Sequence, residues 1–120
     1  MFNKHLKFLI PMLMLQNFIS CSQINYNQVD YNFFLNFESS KLLIDVRSDE
    51  EISINSVDDF VQIDFYKENF YENLLNLDKE VNIFLLCRSG RRSGLAAKFL
   101  TENGYLKIYN IKGGINSIVD

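Results

Sequence analysis

The run Cys87-Arg88-Ser89-Gly90-Arg91-Arg92-Ser93 packs one thiol, one glycine and three arginines into seven residues. It follows the apolar stretch 81–86 (VNIFLL) and precedes a segment with helical spacing, Leu95, Ala96, Phe99 and Leu100. A loop placed there can curl so that successive backbone N–H groups face an anion, and the helix behind it adds its positive end. Gly90 permits a positive φ in such a curl. Cys87 is therefore the candidate nucleophile, with Arg88, Ser89, Gly90, Arg91, Arg92 and Ser93 as candidates to hold an anionic substrate. A free cysteine has a pKa near ~8.5 and is only about 3% thiolate at pH 7. Loop N–H groups and three arginine charges would raise that fraction without any general base.

The elements around the loop must hold it in place. Val29, Phe33, Phe34 and Phe37 recur at helical spacing and predict an amphipathic helix over 28–38, with the phenylalanines in the core. Residues 41–46 (KLLIDV) form a short apolar run, expected as a buried strand. Ser48 with Glu51 three residues on fits a capping box that opens a short helix. A strand is expected over 61–65 and a helix over 67–77. The stretch 81–86 is the strongest strand, 93–103 a helix closed by Gly104, and 106–111 the last strand. Gly113-Gly114 then turns into a short final helix. This alternation predicts an α/β domain with a mostly parallel sheet, whose ligands bind beyond the carboxyl ends of the strands. Cys87 lies at such an end.

The N-terminus differs in kind. Lys4 and Lys7 precede a mostly apolar run, followed by Ile19-Ser20-Cys21. A basic start, a short apolar core and a small residue before a cysteine predict an export signal over 1–20. The run is too short for a membrane span of roughly 20 apolar residues. Ile19-Ser20-Cys21 resembles the lipobox of bacterial lipoproteins, which implies lipidation at Cys21 and an exported protein, periplasmic or membrane-anchored. Ordinary cleavage that leaves Cys21 free is the competing expectation. Loss of Lys4 and Lys7 with the signal takes the net charge from −3 to −5. That balance argues against nucleic acid as a partner, since phosphate binding needs a basic face. His5, the only histidine, would leave with the signal, excluding Cys–His and Ser–His–Asp catalysis and any histidine metal site in the remaining chain. Asp58, Asp59 and Asp64 are expected to be solvated, and no metal or cofactor is called for.

The loop from Cys87 to Ser93 is similar to the active-site loop of the rhodaneses. Asp45-Val46-Arg47 with Glu51 resembles the Asp-Val-Arg element of that family, and Ile111-Lys112-Gly113-Gly114 its Gly-Gly element. The resemblance covers roughly residues 24–120. It implies a rhodanese-like domain over that range, a three-layer α/β fold with a central, mostly parallel five-stranded sheet flanked by helices. It also implies sulfur transfer through a persulfide on Cys87, from a small anionic donor such as thiosulfate to a thiol or cyanide. Asp45 and Arg47 are expected to pair with each other and brace the site. Two stretches depart from the family: Ser53 to Asp59 lacks its Gly-His-Ile and Gly-Ala segments, and no Trp follows Gly114. Two other functions fit parts of the pattern. One is a non-catalytic tethered module that binds an anion or a partner protein. The other is a cysteine phosphatase or arsenate reductase, but those commonly use Cys-x5-Arg, and here the sixth position after Cys87 is Ser93.

Overall fold

The computed structural model describes residues 25–118. The expected signal over 1–20 and Cys21 lie outside them. Strands and helices alternate: β1 (Asn27–Val29), α1 (Tyr31–Leu35), β2 (Lys41–Asp45), α2 (Asp49–Ile54), β3 (Val61–Gln62), α3 (Phe70–Leu75), β4 (Asn82–Leu86), α4 (Arg91–Glu102) and β5 (Ile108–Ile111). A 3₁₀ turn over Gly114–Ser117 ends the described chain. The five strands form one sheet in the order β1-β5-β4-β2-β3, and every pairing is parallel.

Both faces of the sheet are covered, which explains why its central strands are continuous apolar runs. Side chains alternate between the faces with the period of two of a strand. Ile44, Val46, Ile83, Leu85 and Ile108 pack on one side against Phe70 and Leu74 of α3 and Ala96, Ala97 and Leu100 of α4. Leu43, Phe84, Leu86 and Ile111 pack on the other against Phe34 of α1 and Ile115 of the 3₁₀ turn. There the Phe84 and Tyr109 rings stack at 4.5 Å, with Phe34 and Phe37 edge-on to Phe84 at 5.0 and 5.2 Å.

Several elements are shorter than their spacing predicts. Val29 belongs to β1, and the helix begins only at Tyr31, because the Asp30 carboxylate accepts the Phe33 N–H at 2.8 Å and caps it there. Phe33 is not a core residue; it remains 45% exposed while its ring leans on Phe84 and Tyr109. The strand expected over 61–65 is cut to Val61–Gln62, although Ile63 and Phe65 still donate to the carbonyls of Asp45 and Val46. Leu106 precedes β5 and is 86% exposed. Asp59 takes a φ of 53° in the stretch that departs from the expected family pattern; aspartate is among the residues that tolerate this region.

Candidate active site

Ile83, Leu85 and Cys87 alternate onto the same face of the sheet, so the thiol, first residue beyond β4, turns toward the start of α4. Gly90 is the N-cap of α4; its φ of 97° favours glycine, and its lack of a side chain leaves the helix without a conventional cap. The Cys87 sulfur takes that place. The Gly90 N–H reaches Sγ at 3.0 Å and the Ser93 hydroxyl at 3.3 Å. The backbone N–H groups of Ser89 and Ser93 add to the field that favours its charged form. Orphan N–H groups at a helix start need an acceptor, and here the Cys87 sulfur lies among them.

Cys87 is fully buried. Burial pushes its thiol up, but the Ser93 hydroxyl and the N–H groups of Ser93, Gly90 and Ser89 together outweigh it and hold the thiol below its ordinary value. Hydrogen bonds from the loop thus stabilise the thiolate, where the sequence pointed to arginine charge as well.

The three arginines have different positions. Arg92 is buried and turns to Glu51, which it grips with two bonds of 2.9 and 2.7 Å. Its guanidinium also lies 5.3 Å from the Tyr66 ring centre. Sequence spacing suggested that Arg92 holds substrate; in the fold it braces the loop, because Glu51 of the capping box faces it across the site. The Arg92 hydrogen bonds lower the Glu51 carboxyl to about 2, against partial burial, with further help from the Ser48 N–H. Arg88 and Arg91 are exposed. Arg88 borders a cleft of about 260 Å³ with Arg47, Glu51, Ile54 and Asn55. Ser89 and Gly90 border a second cleft, of about 400 Å³, on which Asn110 and Lys112 also lie.

Asp45 and Arg47 form a buried pair, Nη2 to Oδ2 at 2.8 Å. Arg47 Nη1 donates to both the carbonyl and the Oδ1 of Asn55, each at 3.0 Å. Arg47 therefore staples the end of α2 to β2, and Asn55 supplies its anchor within the stretch that departs from the family pattern.

Two supports carry no obvious signal of their role in the sequence. Asn110 is buried and donates from Nδ2 to the Gly90 carbonyl at 3.2 Å, fixing the loop from β5. The Gly-Gly element fastens the loop from below: Ile115 N–H donates to the Cys87 carbonyl at 2.9 Å and Asn116 N–H to the Arg88 carbonyl at 3.0 Å. In a trans peptide the C=O and the following N–H point opposite ways. Pinning those two carbonyls on one side turns the next N–H groups, of Arg88 and Ser89, to the other. Paired glycines were the available clue, but their contact with the loop is visible only in the fold.

Comparison with known proteins places this geometry. A family model for the rhodanese-like domain matches residues 34–120. A sulfurtransferase of Allochromatium vinosum is 34% identical over 74 residues, covering 62% of this chain and 67% of that protein. The adenylyltransferase and sulfurtransferase of Debaryomyces hansenii is 32% identical over 114 residues; the match covers 80% of this chain and only 25% of that protein. The crystal structure of a rhodanese-related protein from Thermoplasma volcanium superposes with a TM-score of 0.64 at 25% identity, covering 77% of this chain and 89% of that one.

Proposed function

The chain belongs to the rhodanese-like domain family, and from that premise we propose that it is a sulfurtransferase working through a persulfide on Cys87. The observation that carries this reading is the pair of donors, the Gly90 N–H at 3.0 Å and the Ser93 hydroxyl at 3.3 Å, converging on one sulfur at a helix start. Such a pair favours the thiolate, which is the nucleophilic form. The thiolate attacks the outer, sulfane sulfur of an anionic donor such as thiosulfate. The S–S bond of the donor breaks, sulfite leaves with the bonding pair, and Cys87 carries the extra sulfur. The same donors that held the thiolate then hold the persulfide anion. No proton need be taken by a base, which suits a described domain without histidine. Arg88, exposed beside the loop, meets the incoming anion. Transfer of the sulfur to cyanide or a thiol restores the enzyme.

The direct test is mass. Full-length protein treated with thiosulfate alone should gain one sulfur atom on the peptide that contains Cys87, and brief cyanide treatment should remove it. Cys87→Ser should gain nothing. A sulfur mapped to Cys21, or cyanide-dependent turnover by Cys87→Ser, would defeat the mechanism.

Export is a second part of the proposal, supported by Lys4, Lys7, the apolar run before Ser20 and the Ile19-Ser20-Cys21 sequence. Lipid at Cys21 would tether the domain at a membrane surface, and two acyl signals hold far more firmly than one. Labelled fatty acid should enter the wild type and not Cys21→Ser; label in the variant would sink this part alone.

A further inference from the structure

Asn110 is a polar residue in an apolar row. Ile108 and Asn110 of β5 turn to the face of the sheet that α4 covers, and Asn110 is in register with Leu85 of β4 and Gln28 of β1. It is 2% exposed. Its Nδ2 donates to the Gly90 carbonyl and to Gln28 Oε1, each at 3.2 Å. A backbone carbonyl can only accept, so the amide nitrogen must face Gly90 and Oδ1 must turn away. Among the described residues Oδ1 is buried without a donor, which costs about 1–3 kcal/mol. A leucine of similar shape would avoid that cost. The Gly90 carbonyl is also already satisfied, since the Gly94 N–H donates to it at 3.0 Å. The bond from Asn110 therefore adds orientation where no partner was missing.

Gly90 joins two peptide planes at a φ of 97° and a ψ of −7°. The plane on one side carries the N–H that reaches the Cys87 sulfur at 3.0 Å; the plane on the other carries the carbonyl that Asn110 holds. Only the φ and ψ of Gly90 separate the two groups, and glycine is the residue least able to fix them by itself. Asn110 ties the second plane to the sheet from which Cys87 emerges. We propose that Asn110 is a positioning residue: by fixing the Gly90 carbonyl against β5 it keeps the Gly90 N–H on the Cys87 sulfur, as thiolate and then as persulfide anion. The inference rests on the sulfurtransferase reading and deepens it. Asn110 bonds neither the sulfur nor the donor, so it acts on the charged state of Cys87 and leaves the attack itself alone. Arg88 and Arg91 of the loop, the Arg92–Glu51 and Asp45–Arg47 pairs and Lys112 are the charged groups around the loop, and the variants below leave them in place.

The test uses full-length Cys21→Ser, in which Cys87 is the one cysteine left. Thiosulfate loading is followed by stopped-flow across pH, and thiolate ultraviolet absorbance is titrated with no donor present. Asn110→Leu should raise both midpoints by about half a unit or more and slow loading about threefold below the midpoint. On the alkaline plateau it should reach the rate of the parent protein. Gln28→Ala removes the other acceptor but keeps the Gly90 bond, and should leave both midpoints in place. Asn110→Ala serves the same comparison if the leucine does not fit. Unmoved midpoints in a folded Asn110 variant, loading slowed equally at every pH, or an equal shift in Gln28→Ala would overturn the positioning role. Failure of the parent protein to load would instead strike the sulfurtransferase reading, and the absorbance midpoints would still decide the role of Asn110.

Discussion

Gly114 lies against the backbone of Cys87: a β-carbon there would collide with the Cys87 carbonyl oxygen and stand 2.6 Å from the carbonyl carbon and oxygen of Arg88. The neighbouring N–H groups of Ile115 and Asn116 bind those same two carbonyls. The position therefore tolerates no side chain. Its φ of 57° adds a second reason for glycine. Gly114→Ala should push the nucleophile loop out of place. We expect more than about 2 kcal/mol of lost stability by denaturant unfolding and little persulfide formation at temperatures where the variant is still folded. Normal persulfide formation in a folded Gly114→Ala would show that the loop does not depend on this contact.

Ser93 donates its hydroxyl to the Cys87 sulfur at 3.3 Å. Because the thiol lies below its ordinary value, persulfide formation should climb with pH and level off below the ~8.5 of a free thiol. Ser93→Ala removes only the hydroxyl, so the climb should move to higher pH. A hydrogen bond to a charged group is worth roughly 1.5–3 kcal/mol, and loading at pH 7 should slow about tenfold. An unshifted profile, measured by stopped-flow with thiosulfate, would mean that the hydroxyl does not stabilise the thiolate.

Glu51 holds Arg92 across the site, and its carboxyl is lowered to about 2, first by the Arg92 hydrogen bonds. A carboxyl lowered in the folded state contributes stability above its unfolded value near ~4.3 and loses it as pH falls toward the folded value. Wild-type protein should therefore lose part of its stability between about pH 4.5 and about 2. Glu51→Gln should be less stable at pH 7, by about 1–2 kcal/mol for a partly exposed pair, and its melting curve should be flatter in acid. Parallel pH dependences for the two proteins would rule out a stabilising role for the pair.

Arg88 and Arg91 are exposed, while Arg92 is engaged by Glu51. Arg88→Ala should raise KM for thiosulfate several-fold with a smaller change in kcat, since it removes a charge that meets the donor. Arg91→Ala should have the weaker effect, because Arg91 does not border the Arg47–Asn55 cleft on which Arg88 lies. Steady-state kinetics with cyanide as acceptor would compare them. An unchanged KM in Arg88→Ala would remove Arg88 from donor binding.

The placement of the Cys87 loop between β4 and α4 was legible because its contacts are local. The sulfur and its donors lie within seven consecutive residues, Cys87 to Ser93, so an apolar strand, a Cys, a Gly and a helix start are enough to indicate an anion cradle. The parallel α/β sheet was legible for a related reason: strands buried on both faces must be apolar runs, and helices must separate them. Element ends were less legible, since caps such as Asp30 on the Phe33 N–H override periodicity. The Asp45–Arg47 pair was legible from two near neighbours in sequence, but the partners of the other charged groups belong to the tertiary structure. Arg92 finds Glu51 across 41 positions of sequence, and Arg47 ties to Asn55 in a stretch where the family motif is absent. Gly114 supports Cys87 only because β5 pairs with β4 and brings the Gly113-Gly114 turn beneath the loop. A residue's type states what bonds it can make. Which partner is near enough to make them is decided by packing, because a charge or a donor acts only over a few ångströms once the chain has folded.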